Sequence, residues 1–264
     1  MKTSFCVYGI RTSLVRPGDD LAGILIEAAG KSCGLEDGDI VVIAESALAT
    51  AEGRIIRLET VVPRERALLL ASDYAMDPRV VEVVLSESDA IVGGIPGFLL
   101  SMKNGTLLPN AGVDASNAPP GTVIPLPVDP DGSAATIRQE IRQRCGVFVG
   151  VVVADSRTHA MRLGCSGVAI GCAGFGAVSD ERGRCDLFGR ELEVTRGALA
   201  DNIASAAELV FGEADECVPL ADVRGLGIPL SDVSGIEEID ASECLFMGVA
   251  LNRDSTLLDK ERES

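Results

Sequence analysis

Apolar runs alternate with helical patterns along most of the chain. The run Ile40 to Ala44 has no polar interruption, which is typical of a strand buried on both faces. Asp19 or Asp20 can cap a helix that ends near Gly30, and Asp77-Pro78 marks the start of a second helix. Strands and helices in this order, together with hairpins, predict an α/β or α+β fold with a mixed sheet.

The same patterns predict further elements. The candidate strands are Ser4 to Tyr8, Ile91 to Met102, Thr106 to Leu108 and Val147 to Ala154. The candidate helices cover residues 64–75, a segment that Ser133 caps, and residues 196–210. Asn104-Gly105 indicates a hairpin between the second and third strands. Residues 1–226 therefore form a core of interleaved subdomains, and residues 227–264 form a less patterned extension with a charged, frayed end at Asp259 to Ser264.

Composition narrows the class of protein. Of the 264 residues, 47% are apolar and 24% are charged, which is the balance of a soluble globular protein. The net charge of −17 and the low aromatic content argue against nucleic-acid partners. No apolar run approaches the length of a membrane span and no secretion signal is visible, so we expect a cytoplasmic protein without a membrane partner.

The cysteines do not indicate a metal site or a disulfide framework. The eight cysteines contain no Cys-x-x-Cys pair, and His159 is the single histidine. A zinc site built on histidine is therefore not expected. We interpret the cysteines as reduced, small core residues.

Two isolated acids follow apolar segments and are the first candidates for chemistry. Asp114 lies in the stretch Leu108 to Asn117, LPNAGVDASN, and Asp155 follows Val151 to Ala154. A carboxylate at a strand end must be paired, hydrogen-bonded or bound to a metal, because its desolvation is unfavourable. Two such acids that converge would suit Mg²⁺ or Mn²⁺. The commoner roles of an aspartate in such a place are a helix cap and a turn.

Two further segments could bind anions. Three arginines lie within Arg182 to Arg190, which suits carboxylates and phosphates but is also typical of a solvated surface. Gly171 to Gly176, GCAGFG, superficially resembles a dinucleotide-binding loop, but no clear helix follows it and we interpret it as a structural turn. No phosphate-binding P-loop motif is present in the sequence.

These groups, in this order, resemble the coenzyme F-420 gamma-glutamyl ligase family. The resemblance covers residues 11 to 226, and NAGVDASN and GRELEVT are its most specific motifs. The similar segments are Arg16 to Leu21, Leu35 to Ile40, Ala51 to Arg54, Asn110 to Asn117, Gly183-Arg184, Asp186-Leu187, Gly189 to Thr195 and Val223 to Leu226.

The resemblance implies a ligase that uses GTP and divalent Mn²⁺ or Mg²⁺. The terminal phosphate of GTP would activate a substrate carboxylate as an acyl phosphate, which the amine of glutamate then attacks. It also implies an intertwined homodimer. By motif, Asp114 and Asp155 take the catalytic and metal-binding roles, and Ser156 replaces a metal-binding threonine. The implied nucleotide-contacting residues are Arg11, Thr12, Ser13, Leu14, Ser46, Asn117, Arg224 and Gly225.

This chain departs from the family at the phosphate-binding positions. Thr50 stands where the family has a lysine on the nucleotide phosphate, and Glu45 stands where a hydroxyl is common. Both changes oppose phosphate binding. A Gly-Arg pair after Asp155 is also missing, although Arg157 and Arg162 could supply charge from shifted positions, and His159 lies in the same segment.

The departures leave three interpretations. The first is a working amide ligase. The second is a divergent, non-ligating homologue that binds a metal or small ligand as a regulatory or partner protein, and the third is a structural oligomer. The first two differ in geometry: a ligase site needs Asp114 and Asp155 in one environment, with a cation such as Arg11, Arg157, Arg162 or Arg184 in place of the missing lysine.

Overall fold

The computed structural model describes residues 4–251. The charged end at Asp259 to Ser264 therefore lies outside the described residues. The strands are β1 (Cys6–Ile10), β2 (Ile40–Ala44), β3 (Ile56–Arg57), β4 (Ala90–Ile95), β5 (Phe98–Lys103), β6 (Thr106–Pro109), β7 (Thr122–Val123), β8 (Gly150–Thr158), β9 (Cys165–Ala173), β10 (Val178–Asp180), β11 (Arg196–Ala198) and β12 (Leu220–Arg224). The α-helices are α1 (Leu21–Gly30), α2 (Glu45–Ala51), α3 (Glu65–Tyr74), α4 (Pro78–Glu87), α5 (Pro130–Cys145), α6 (Leu199–Phe211) and α7 (Leu245–Leu251).

A mixed five-stranded sheet forms the centre of the fold, in the order β1-β12-β2-β8-β9. Only the β2–β8 pair is parallel, and the other neighbours are antiparallel. Both faces of β2 and β8 are covered, because alternate residues pack with α1 and α5 on one face and with α6 on the other. This arrangement confirms the predicted mixed α/β fold.

The segment of the chain between β2 and β8 forms a second, smaller layer. It contains the three-stranded sheet β4-β5-β6 and helices α3 and α4, and its apolar core includes Val81, Val84 and Leu99. The short strands β3 and β7 pair with each other beside this core. The long connection between two adjacent strands of the central sheet thus folds into a packed unit of its own.

Several predicted elements are confirmed. The strand at Ile40–Ala44 has the predicted bounds. Asp20 caps α1 by accepting a hydrogen bond from the amide of Gly23 at 2.9 Å. Asp77 caps α4 in the same way from the amide of Arg79 at 2.8 Å, with Pro78 in the first turn. The Asn104-Gly105 turn joins β5 and β6, with positive φ at both residues.

Four predicted bounds are wrong, and each has a local reason. Residues 91–102 are two strands, because the chain reverses at Pro96-Gly97. Helix α5 begins at Pro130, where Asp129 and not Ser133 is the cap. Residues 196–198 pair with β10 before α6 begins. Strand β8 continues through Thr158, so Asp155 lies within the strand and not at its end.

The cysteines are mostly not core residues. Cys172 is buried, Cys33 and Cys244 are half-buried, and the other five are exposed, namely Cys6, Cys145, Cys165, Cys185 and Cys217. All eight are free thiols, as expected, but the prediction of core packing holds for Cys172 alone. Within residues 4–251, none of the helices is both long and apolar enough to cross a membrane.

Candidate active site

Three strands end at the same edge of the central sheet. Ile10 of β1 pairs with Leu220, Leu220 pairs with Ile43 of β2, and Ile43 pairs with Val153 of β8. Because β12 is antiparallel to both β1 and β2, the strands β1, β2 and β8 run in one direction. The residues that follow this row, which include Arg11, Glu45 and Asp155, therefore lie along one edge, which we call the carboxylate edge.

Asp155 lies on β8 with its side chain 13% exposed. The Nε of Arg157 donates to its Oδ2 at 2.8 Å, since residues two apart on a strand share a face. Burial raises the pKa of Asp155, Arg157 lowers it, and the charge of Asp114 raises it. The net direction is upward, because burial outweighs the opposing effect of Arg157.

Asp114 reaches the same environment from a different segment. Its backbone pairs with Ile124 in both directions, at 3.0 and 2.8 Å. Its Oδ1 accepts hydrogen bonds from the amides of Ala115 and Ser116 and from the Ser116 hydroxyl, at 2.7, 3.0 and 3.0 Å. The Oδ1 atom of Asp114 therefore stabilises the turn, whereas its Oδ2 atom is available to another partner.

The loop before Asp114 is held in an uncommon backbone conformation. Asn110, Ala111 and Gly112 have φ values of 50, 53 and 71°. The side-chain oxygen of Asn110 accepts a hydrogen bond from the amide of Leu99 at 2.8 Å. A Cβ at Gly112 would lie 2.4 Å from the Cγ of Leu126, so the loop packs closely on this neighbour. The cluster of small and polar residues around Asp114 thus fixes where its carboxylate lies.

Glu45 is the third acid of the carboxylate edge. It begins α2 directly after β2. Burial raises the pKa of Glu45 to about 8, and the charges of Asp155 and Asp114 contribute to the increase. Glu45, Asp114 and Asp155 therefore share one environment, and the carboxylate that the sequence predicts to oppose phosphate lies inside it.

Helix α6 carries another half-buried acid, Glu208. Burial raises the pKa of Glu208 to about 7, with contributions from Glu213 and Asp155. The helix can approach β9 because Gly167 has no side chain: a Cβ there would lie 2.5 Å from the carbonyl of Ala204. Neither Glu208 on α6 nor Glu213, two residues after this helix, is predicted from the sequence, because a glutamate on an amphipathic helix or in a loop ordinarily faces solvent.

The structure separates Ser156 from Asp155. Ser156 pairs with Gly167 on β9, and alternation along β8 puts its side chain on the opposite face from Asp155. Among the predicted nucleotide contacts, Arg11 to Leu14 follow β1 at the carboxylate edge, where the amide of Thr12 donates to the carbonyl of Cys217 at 3.1 Å. Ser46 lies next to Glu45 in α2. Asn117 is exposed, with a positive φ of 54°.

Arg224 and Gly225 lie at the opposite edge of the sheet. Arg224 ends β12 and pairs across the sheet with Cys6, the first residue of β1. Its guanidinium donates to Asp39 at 2.8 Å and to Asp222 at 3.0 Å, and both acids are buried. These carboxylates raise the pKa of Arg224. Arg224 is therefore not brought together with Asp114 and Asp155 within one chain, and its predicted nucleotide contact stays a prediction.

Not all of the arginines that could replace the missing lysine lie near the predicted acids. Arg157 lies at the carboxylate edge, paired with Asp155. Arg162 is exposed in the turn between β8 and β9, and Arg184 pairs with Glu181 in the loop between β10 and β11. The Nε2 of His159 lies 2.5 Å from the hydroxyl of Ser166 on the surface. Arg157 is thus the cation that the structure joins to the predicted acids.

The donor chemistry of the carboxylate edge fits a hard divalent cation. In the part of the chain that the structure describes, no three histidine, cysteine or acidic side chains are already arranged around a metal position. Asp114 and Asp155 nevertheless raise the pKa of Glu45, which is an electrostatic repulsion that a bound cation would relieve. Carboxylate oxygens are also the donors that Mg²⁺ and Mn²⁺ prefer.

Comparison with known proteins gives a consistent result. The family model described as F420-0:Gamma-glutamyl ligase matches residues 9–225. A relative named Coenzyme F420:L-glutamate ligase from Methanopyrus kandleri is 47% identical over 222 residues, which cover 84% of this chain and 86% of the relative. Relatives of the same name from Methanothermobacter thermautotrophicus and Archaeoglobus fulgidus are 44% and 41% identical, over 80% and 87% of this chain and 85% and 90% of their own lengths.

Proposed function

Because the chain belongs to the F420-0:gamma-glutamyl ligase family and is an amide-bond-forming enzyme, we propose that it joins L-glutamate to a carboxylate of the coenzyme F420 scaffold at the carboxylate edge. The observation that carries this assignment is the shared environment of Glu45, Asp114 and Asp155. Amide formation from a free acid needs an activated carboxylate, and this acidic edge suits a site where metal and phosphate charge are balanced.

We propose GTP as the activating co-substrate. An oxygen of the acceptor carboxylate would attack the terminal phosphorus, so that GDP leaves and an acyl phosphate forms. The amine of glutamate would then attack the acyl carbon, and inorganic phosphate would leave as the amide forms. Arg11 to Leu14, which follow β1 at this edge, would contact the nucleotide, and Ser46 and Asn117 are further candidates.

Asp114 and Asp155 would hold a divalent Mn²⁺ or Mg²⁺. When bound, such an ion supplies positive charge to the transferring phosphoryl group. The fixed loop around Asp114 holds that carboxylate in place, with Oδ2 free of the hydrogen bonds that engage Oδ1. Arg157 holds the Oδ2 of Asp155, so that this oxygen is oriented before any ligand arrives. Ser156 lies on the other face of β8 from Asp155, and its role as a ligand stays a prediction from the family resemblance.

Calorimetric titration of the purified protein with GTP and with ATP, each with and without Mn²⁺, tests this proposal. We expect metal-dependent binding of GTP and its loss in the variants Asp114→Asn and Asp155→Asn. Asp73→Asn is the matched control, because Asp73 is an exposed aspartate on α3. Metal-independent binding, or equal binding by the control and both variants, would contradict the proposed metal and nucleotide roles.

A direct assay tests the acceptor. The protein is incubated with the glutamate-free coenzyme, L-glutamate, GTP and Mn²⁺, and the product is analysed by mass spectrometry. We expect a mass increase that corresponds to glutamate with loss of water, together with one GDP per amide formed. GDP release without an amide product would contradict the proposed acceptor while leaving nucleotide use intact.

We also propose that the protein is a homodimer. The outer face of the β4-β5-β6 sheet exposes large apolar side chains on adjacent strands, with Phe98 54% and Ile95 65% exposed. Val92 and Leu100 extend the same exposed surface. A contiguous apolar sheet face of this kind is typical of a protein–protein interface, and a second copy of the chain is the partner that the family resemblance implies.

A further inference from the structure

A cavity of about 270 Å³ lies far from the carboxylate edge. It is formed by the second half of α5 and by Val147–Val149, the segment that leads into the first residue of β8. Arg138, Gln139, Arg142 and Phe148 contribute its polar and aromatic lining. Two arginines in one cavity are notable in a chain with a net charge of −17.

The two arginines differ in what they already bind. Arg138 is held in place, because its Nε donates to the carbonyl of Val149 at 3.0 Å and its Nη2 donates to the carbonyl of Ser231 at 2.8 Å. Its Nη1 has only a long contact, 3.4 Å, with the carboxylate of Asp232, which is 97% exposed. One edge of an oriented guanidinium is therefore available to a better acceptor.

Arg142 has no carboxylate partner among the described residues, whereas Arg138 and Arg144 on the same helix both form ion pairs. Its guanidinium lies over the ring of Phe148, with 4.4 Å between its central carbon and the ring centroid. Phe148 is itself 43% exposed, and its amide donates to Asp37 at 2.8 Å. The stacked ring orients the guanidinium without neutralising it.

Arg138 and Arg142 are four residues apart on α5, so two positive charges face each other on one side of the helix. Like charges at this spacing repel each other, and an anion between them would relieve the repulsion. Arg142 lies in the last turn of α5, where the helix dipole stabilises a positive charge. That interaction alone does not explain why Arg142 lines a cavity and lies over an aromatic ring.

We propose that this cavity binds a small oxyanion, a carboxylate or phosphate group, bridged by Arg138 and Arg142 against Phe148. A volume of about 270 Å³ lies just below the usual range for ligand sites, which suits a small anion better than a nucleotide. The site is separate from the carboxylate edge and does not rest on the proposed ligase reaction. Its occupant would contact the segment that leads into β8, the strand that carries Asp155.

The test is an NMR titration of the ¹⁵N-labelled full-length protein with acetate, malonate and inorganic phosphate at constant ionic strength, with chloride as the reference anion. We expect saturable shifts at the amides of Phe148 and Val149 and at the Nε–H of Arg138. Saturation by acetate and malonate alone would assign the site to carboxylates, saturation by phosphate alone would assign it to phosphates, and either result supports the proposal.

Variants locate the binding. Arg142→Gln should weaken the affinity by about tenfold, the loss expected for one charge-assisted hydrogen-bonding partner. Arg142→Lys, which keeps the charge near the helix end, should lie between this variant and the parent. Arg66→Gln, an exposed arginine of α3, is the matched control and should bind like the parent, as should Asp155→Asn. Thermal unfolding by circular dichroism shows that each variant is folded.

Three results would overturn the proposal. They are shifts equal to those caused by chloride, equal affinity in Arg142→Gln and the parent, and saturable shifts that occur only at the carboxylate edge. None of these results bears on glutamate ligation, because the ligase assay reports on the other edge of the sheet.

Discussion

Arg157 sets how easily Asp155 keeps its negative charge. Burial and Asp114 raise the pKa of Asp155, and Arg157 opposes them. In Arg157→Gln the opposing charge is lost, so the pKa of Asp155 rises further. If ionised Asp155 is needed for ligation, the acid limb of the kcat/KM profile moves to higher pH. Arg162→Gln, in the exposed turn of the same hairpin, should leave the profile unchanged, and a profile that shifts equally in both variants would contradict this role.

Glu45 should make the protein without bound metal less stable as the pH rises. Its pKa is raised to about 8 in the folded state from an ordinary value of 4.5. Between these two values the folded state holds a proton that the unfolded state has released, so the contribution of Glu45 to stability is greatest below pH 4.5 and falls as pH rises toward 8. Glu45→Gln removes this dependence and should stabilise the protein at pH 8 by on the order of 2 kcal/mol.

The measurement for Glu45 is urea unfolding at several pH values in the presence of a chelator. Glu59→Gln, which changes an exposed glutamate, serves as the control and should unfold like the parent. A difference between Glu45→Gln and the parent that does not grow from pH 5 to pH 8 would show that the carboxylate is not strained by its surroundings.

At the scale of elements, the approach of α6 to β9 depends on a missing side chain. Gly167→Ala would place a Cβ 2.5 Å from the backbone carbonyl of Ala204, and a helix backbone cannot yield locally. We expect a loss of about 1–3 kcal/mol in the free energy of unfolding, as for other overpacked interfaces. Gly176→Ala is the matched control, because its nearest contact would be 3.6 Å away. Urea unfolding of both variants distinguishes close packing from a general effect of removing glycine.

Arg224 joins β12 to the turn before β2. Without its guanidinium, Asp39 and Asp222 would stay buried without a cation, so Arg224→Gln should lower the free energy of unfolding by about 3 kcal/mol or more. Arg57→Gln, an exposed arginine of β3, should change it little. A variant at Arg224 that unfolds like the parent yet no longer binds GTP would instead support the nucleotide contact predicted from the sequence.

The sequence predicts a helix or strand well where a local sequence signal and the pattern of burial indicate the same element. Ile40–Ala44 is apolar because both of its faces are covered, and Asp77-Pro78 starts α4 as its cap chemistry requires. The same Asp-Pro signal recurs at Asp129-Pro130, where the prediction of Ser133 as the cap is wrong because Asp129 caps α5. β8 extends beyond its apolar run because its polar residues still pair with β9, and this pairing is not visible locally.

The candidate site is only partly visible in the sequence. Asp114 and Asp155 stand out because each interrupts an apolar context, and the charges of both raise the pKa of Glu45. Glu208 is not visible as a candidate, because its burial depends on the packing of α6 against β9, which no local pattern shows. Arg224, which the motif places with the nucleotide, lies at the other edge because β12 runs opposite to β2. The direction in which a strand runs within the sheet is a property of the topology, so a local sequence pattern does not reveal it.

At the scale of the whole molecule, the exposed face of the β4-β5-β6 sheet should control assembly. Phe98→Glu places a charge in the centre of this face and should convert the proposed dimer to a monomer, because burying an unpaired charge at an interface is unfavourable. Val128→Glu changes an apolar residue that is 71% exposed outside this sheet and should leave the dimer intact. Light scattering coupled to gel filtration gives the mass, and an unchanged mass for Phe98→Glu would contradict the proposed interface.

The strand order also determines when the protein can finish folding during synthesis. β12 lies between β1 and β2, although it is the last strand of the sheet to be made. Until residue 224 has left the ribosome, the inner edges of β1 and β2 have no partner, and the apolar strand β2 is left as an open edge. An open apolar edge is a template for pairing with other chains. A message truncated shortly before β12 would therefore yield a chain that retains the parallel β2–β8 pair but aggregates, whereas a chain that ends after Arg224 has every strand of the central sheet.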